Sequence, residues 1–251
     1  MAFGSYCDEF GHHQDPTKRV MGIAGLLAWT DSWDRFNSEW KQLLEHEGIP
    51  NPFHMTDFVH HKKQFKDWDS PQRRLVVLGN LLKVIKKANV IPIAAAVVLK
   101  DFNSLTAEQQ SQLKGPYYVA FQQVSFQIGF AATMLALHSS NPLEHSVSMS
   151  YARLKKFTGP AEQLWQAIKK HNPHVGPWMG SYTAADPIDC LPLQAADIWA
   201  YSLGHMHEHH PAKNYEAGVA YQFFLREAMK HEIGHSFYEV FDRETLLTKL
   251  E

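Results

Sequence analysis

Asp8-Glu9-Phe10-Gly11 follows directly on the short segment Phe3–Cys7. Two adjacent carboxylates are poor core residues. Carboxylates converging from several elements are what a hard divalent ion such as Mg2+ or Mn2+ requires. Gly11 permits a turn just after them, so a solvated turn is the plain alternative for this pair. A second candidate is Asp197, set in Pro192-Leu193-Gln194-Ala195-Ala196-Asp197-Ile198-Trp199-Ala200-Tyr201. A carboxylate inside so apolar a segment needs a partner, a metal or an exposed edge. Gln194, one turn earlier on the same helical face, would lie beside it. The third candidate is Phe53-His54-Met55-Thr56-Asp57, after a turn forced by Pro50 and Pro52. His54 and Asp57 carry donor or ligand capacity there, while Asp57 equally suits a helix or turn cap.

A fourth constellation, His231-Glu232-Ile233-Gly234-His235, matches the H-E-x-x-H of zinc peptidases. On a helix His231 and His235 would share a face, with Glu232 as base, giving a zinc hydrolase reading. The extended motif fails, because Tyr238 and Phe241 stand where Gly and His are required. Glu239 would lie too far along the helix to share the ion. Histidine is abundant, at 16 residues, and clusters at His12/His13, His54, His60/His61 and the tract His205–His210. That tract reads as a surface loop with adventitious metal affinity. The basic pairs Lys62/Lys63, Arg73/Arg74 and Arg153 with Lys155/Lys156 suit phosphate contacts or ordinary solvated helix faces.

The elements that must position these groups form an α/β pattern. Strands are expected at Phe3–Cys7, Val20–Thr30, Ile91–Lys100, Val147–Tyr151 and Ser181–Ala184, with Phe53–Asp57 strand-like. Val20–Thr30 is a nearly continuous apolar run, as a strand buried on both faces requires. Helices are expected from Asp31 or Ser32 to His46, from Pro71 with Leu75, Leu78, Leu82 and Ile85 on one face, over Pro116–His138, from Gly159 to Lys170, over Leu193–Leu203 and over Glu216–Phe241. Residues 101–115 read as a polar loop.

The chain has 251 residues, 45% of them hydrophobic, which is long enough for one full core. The formal net charge of −2 excludes a strongly basic nucleic-acid coat protein but not a local basic patch. Two cysteines, Cys7 and Cys190, give no disulfide framework and suit a reducing compartment. The apolar stretches Val90–Leu99 and Phe126–Leu137 are too short to span a bilayer, and no leader pattern opens the chain. The expectation is a cytoplasmic protein without a membrane partner, with Trp178 as an aromatic for a homo-oligomer contact or a nucleic-acid stack.

Taken together, Asp8-Glu9-Phe10-Gly11, Phe53-His54-Met55-Thr56-Asp57 and Leu193-Gln194-Ala195-Ala196-Asp197-Ile198 resemble domain-of-unknown-function family 3800, over about residues 3–210. The resemblance implies a ribonuclease H-like α/β fold, a mixed β-sheet flanked by helices. The remaining residues, about 211–251, are expected to add C-terminal helices to a single domain covering 1–251. It also implies that Asp8 and Asp197 meet at a metal site holding Mg2+ or Mn2+, with Glu9 catalytic beside them and Asp57 as a further ligand. Asp186 and Asp189 are possible supplements. His12, His54 and Gln194 are then the substrate-binding candidates, and nucleic acid is the partner class. The implied activity is metal-dependent nuclease or phosphoesterase chemistry. One departure counts against it: Ser148-Met149-Ser150-Tyr151-Ala152-Arg153 lacks the acid the family often carries there. Two carboxylates alone hold Mg2+ weakly, so a catalytically inactive module binding nucleic acid or protein is the alternative.

Overall fold

The computed structural model describes residues 2–11, 15, 17–137, 146–152, 158–208, 214–230 and 237–250. His12, Arg153, Lys155, Lys156, His209, His210, His231, Glu232 and His235 lie outside the described residues. The strands are β1 (Phe3–Phe10), β2 (Val20–Trp29), β3 (Ile91–Val98), β4 (Val147–Ala152), β5 (Met179–Ala185) and β6 (Tyr238–Phe241). α1 (Thr30–Glu47), α2 (Met55–Val59) and α3 (Pro71–Lys87) follow β2. α4 (Leu99–Asn103), α5 (Ala107–Leu113) and α6 (Pro116–Leu137) follow β3, and α7 (Thr158–His171) follows β4. α8 (Pro192–Glu208) and α9 (Tyr215–Met229) follow β5, and α10 (Arg243–Thr248) follows β6.

One mixed sheet runs in the order β5-β4-β1-β2-β3-β6. β1, β2 and β3 form an antiparallel meander, while β4 joins β1, β5 joins β4 and β6 joins β3 in parallel. The period-2 alternation of the strands sends side chains into two separate cores. Ala24, Leu26 and Ala94 meet α1, α3, α8 and α9 on one face. Met21, Ile23 and Ile93 meet α6, α7 and α10 on the other. β2 is buried on both faces, as its unbroken apolar run requires. No α6 residue whose side chain is described is exposed, which matches a helix with no polar stripe.

Four tryptophans are almost wholly buried, and each indole finds a carbonyl-type acceptor. Trp33 donates to Gly4 O at 2.8 Å, Trp40 to Gln194 Oε1 at 3.0 Å, Trp165 to Gly180 O at 3.3 Å and Trp199 to Ile93 O at 3.1 Å. Three of these bonds tie helices on both faces to the sheet, and that of Trp40 ties α1 to α8.

Several expectations change. Phe53–Asp57 is not strand-like: α2 begins at Met55, whose N–H finds a carboxylate acceptor from another helix at 2.6 Å. The polar stretch 101–115 is not loop, because Thr106 and Gln109 form a reciprocal capping box that starts α5. In α3 the N-cap is Ser70 with Pro71 at the first position; Leu78, Leu82 and Ile85 are buried as expected, joined by Val77 and Leu81, while Leu75 is only half-buried. The expected helix Glu216–Phe241 ends at Met229, and Tyr238–Phe241 returns as β6. The C-terminal addition is thus helix, strand and helix, and Glu239 sits on a strand, not on a helix with His231. α8 runs past the expected end at Leu203 with Gly204 absorbed: a Cβ there would lie 3.2 Å from that of Phe10, a tight contact that the glycine avoids where the helix presses on β1. Trp178 is not exposed but packs against the second core. No helix among the described residues is long and apolar enough to cross a membrane.

Candidate functional site

β1 carries Asp8 and Glu9 to the end of its pairing with β2, where Gly11 turns the chain at φ 70. A Cβ on Gly11 would stand 2.1 Å from Val20 O, so the turn that ends the acidic strand is closed to other residues. Tyr6, Asp8 and Phe10 share the face toward α8, while Glu9 belongs to the opposite face by strand alternation. That separation is visible in the hydrogen bonds. Tyr151, buried in the second core, donates its hydroxyl to Glu9 Oε2 at 3.3 Å. Asp8 Oδ1 accepts from Glu9 N at 2.9 Å. β4 registers Cys7 against Tyr151, so the neighbour of Asp8 on that side is Ala152. The missing acid of the sequence is therefore missing at the point where it would face Asp8.

Asp197 is brought over β1 by α8, whose Ala195, Ala196 and Ala200 are buried against the sheet side as the small-residue stripe required. Its side chain is 18% exposed, desolvated yet reachable. Oδ2 accepts from Met55 N at 2.6 Å and so caps α2, while Oδ1 stands 4.0 Å from His54 Nδ1. That separation is a long ionic contact and not a hydrogen bond. The contact with the Asp197 carboxylate nevertheless raises the proton affinity of His54, against the desolvation that lowers it.

Asp8 and Glu9 both feel the charge of Asp197. Burial first, and then the charges of Asp197 and Glu9, push the Asp8 carboxyl well above its ordinary range. Glu9 is pushed up to about 7, chiefly by burial, with Asp197 adding and the Tyr151 hydroxyl opposing. Two elements far apart in sequence thus deliver mutually repelling carboxylates to one place, the arrangement that perturbed acids at functional sites share.

A cleft of about 370 Å³ opens beside them, lined by Glu9 and Asp197 but not Asp8, and among others by Lys18, Thr56, His60, Tyr201 and His205. Lys18, Thr56 and Tyr201 were not singled out in the sequence. Tyr201, Gly204 or His205, and Glu208 continue the helical stripe that starts at Asp197, at i+4, i+7 or i+8, and i+11. Counting from Asp197 would have found them. His205 and His207 therefore lie on the last turns of α8 and not on a surface loop. His205 stacks near Tyr201, His207 bonds the Tyr238 hydroxyl, and Glu208 accepts from Arg19 N at 2.7 Å.

Other expected groups are occupied elsewhere. Asp57 is 7% exposed and pairs with Lys63 at 2.8 Å, outside the lining of the cleft. Gln194 is not a substrate contact. It is fully buried, its Oε1 accepting from Trp40 Nε1 and Phe53 N at 3.0 Å, its Nε2 donating to Asn51 Oδ1 and to Pro187 O at 2.8 Å. Arg74 is consumed by Glu216 at 2.9 Å and Trp68 O at 2.6 Å, and Arg73 lies over the Trp68 ring. Asp186 accepts from Ile188 N at 3.0 Å in its own turn.

Carboxylate oxygens are the donors Mg2+ and Mn2+ prefer, and the repulsion between Asp8 and Asp197 is what a dication would relieve. Among the described residues no group of three His, Cys, Asp or Glu side chains is arranged to hold one ion. A cation there would therefore rely on Asp8 and Asp197, with water completing its shell. No protein-family model matches the chain, and no curated protein matches it at a significant level.

Proposed function

We propose that the chain is a ribonuclease H-like, divalent-metal-dependent phosphodiester hydrolase, a nuclease or related phosphoesterase, with Asp8 and Asp197 as its metal-holding carboxylates. The observation that carries this reading is the electrostatic meeting of Asp8 with Asp197, from the first strand and a late helix, beside a cleft that Glu9 and Asp197 line. The fold supports it: an antiparallel three-strand meander extended in parallel by β4 and β5 on the β1 side is the sheet such a fold requires. The resemblance noted in the sequence points the same way.

Mg2+ or Mn2+ held there would supply Lewis acidity toward a phosphoryl oxygen and activation of a water. The chain's own residues do the rest. Asp8 and Asp197 bind the cation. The Met55 N–H fixes the orientation of Asp197 by holding Oδ2, leaving Oδ1 toward His54. Lys18 lines the cleft as a cation for a phosphate oxygen. Glu9 lines the cleft while its Oε2 accepts from Tyr151, so it adds negative charge beside Asp8 and Asp197.

Titration of Mn2+ into the metal-stripped protein tests the reading. Saturable binding, lost in both Asp8→Asn and Asp197→Asn, is expected. Asn keeps an acceptor for the Met55 N–H, so the second variant removes charge without uncapping α2. Wild-type protein that takes up no Mn2+ would sink the hydrolase.

A second reading is favoured by Ala152 beside Asp8 and by the capping bond of Asp197: an inactive module of the same fold that binds nucleic acid or a protein partner. It predicts partner binding without metal uptake. The zinc hydrolase through His231 and His235 rests on residues outside those described, and zinc stoichiometry lost on His231→Ala is its test.

A further inference from the structure

We propose that the cleft continues into a groove for single-stranded nucleic acid, in which unpaired bases stack on Tyr201, His205 and Tyr215. The substrate class deepens the phosphodiester reading above and rests on it for its chemistry. A second cavity of about 430 Å³ adjoins the first, and His60 and His205 line both. Together they run from the acidic end past a saddle of rings to the start of α9. The saddle is held in place. The Tyr201 hydroxyl meets His60 Nε2 at 3.1 Å and accepts from Asn214 Nδ2 at 3.3 Å. His205 lies nearly parallel to the Tyr201 ring, at 14° and 6.2 Å between centroids, and His60 stands edge-on to it at 77°. The Tyr201 ring, fixed this way by hydrogen bonds, is held ready for a base at little ordering cost.

The far cavity ends at Tyr215, an aromatic side chain left 66% exposed at the first residue of α9. Its cation, Arg74, is neutralised by Glu216, so attraction for phosphate is weak there and ring stacking must supply the affinity. Stacking needs bases free of a duplex, and it tolerates any base because every base has a π face. Two adjoining cavities of this size are built for a few nucleotide units. A duplex instead needs a broad, strongly positive surface, which a chain of net charge −2 lacks on average. The inference thus selects strands with splayed bases over paired helices and over simple phosphodiesters.

Fluorescence anisotropy of short labelled oligo-dT, oligo-U and a duplex of equal length tests it, in EDTA and again in Ca2+. Single strands should bind at least about tenfold tighter than duplex. Tyr215→Ala, at an exposed position, should weaken single-strand binding about tenfold, the loss expected for one stacked base, and His60→Gln, which alters the support of the Tyr201 hydroxyl, should weaken it by a smaller factor. Tyr215→Ala should leave the Mn2+ isotherm as in the wild type. Duplex bound as tightly as single strand, or both variants binding like wild type, overturns the groove. An intact Mn2+ isotherm with no oligonucleotide bound overturns the groove alone. Single-strand preference without Mn2+ uptake overturns the metal reading alone.

Discussion

Gln194 and Asp197 stand one turn apart on α8, both polar and both in an apolar stretch, yet the fold spends them differently. Gln194 lies toward the helix start, fully buried, with carbonyl and amide groups each meeting two partners. Asp197 lies nearer the open end of β1, with one oxygen given to the Met55 N–H and the other toward His54 and the cleft. The same physical demand, that a buried polar group be satisfied, is met by protein alone in the first case and leaves room for a ligand in the second. A residue type and a helical face do not separate the two. What separates them is how far along the sheet the helix has travelled.

The largest expected effect breaks the structural half of that contrast. Gln194→Ala leaves the Trp40 indole, the Phe53 N–H and the Pro187 carbonyl without their partner and should destabilise the fold by about 3 kcal/mol. In a chain of this size that is a fall of about 8 °C in melting temperature, read by calorimetry, and Mn2+ affinity at low temperature should not move. Asp197→Asn should do the reverse. Mn2+ affinity should fall at least about tenfold, with melting nearly unchanged because Asn still accepts from Met55. Asp197→Ala then adds the loss of that acceptor, worth about 1 kcal/mol by analogy with a lost helix cap, and hydrogen exchange should report earlier opening of α2.

The smallest effect is electrostatic. Burial raises Glu9 from 4.5 to about 7, so the fold favours its protonated form. Its contribution is complete below about pH 4.5 and is lost as pH rises through about 7, where the folded carboxyl must ionise. Thermal melts in EDTA should therefore show stability falling across that window, and Glu9→Gln should remove most of the fall. Asp197→Asn should reduce it, since Asp197 is one of the charges raising Glu9, whereas Gln194→Ala should leave the slope intact. A fall that Glu9→Gln does not change would assign it to other groups.

The core was legible wherever hydrophobic pattern decides structure. Val20–Thr30 announced a strand buried on both faces, Ile91–Lys100 a strand and Pro116–His138 a helix buried on most sides, and the elements formed end within two residues of those bounds. Elements held by distant partners were not legible. Tyr238–Phe241 is too short to outweigh a helical reading until β3 offers it an edge, and Met55–Val59 turns helical where a carboxylate from residue 197 receives its first N–H. In the site, Asp8 and Asp197 stood out because carboxylates in apolar company need an explanation. Asp57 and Gln194 looked the same, and only their partners, Lys63 and Trp40, reveal that the explanation is internal. Tyr151 could not be tied to Glu9 from sequence, because the bond depends on how β4 registers against β1.

The path of the chain also puts this site in time. β1 is made first, while α8 comes after five strands have left the ribosome, and the bond from Arg19 N to Glu208 spans 189 residues. Contacts so distant in sequence slow folding, because the intervening loop must close before they form. Until then Asp8 sits on an unfinished strand, without the opposing charge that perturbs it and without the helix that walls the cleft. On the proposed reading, ion uptake in a refolding experiment would trail the recovery of strand signal, and the acidic pair would act as the protein's own mark of completion.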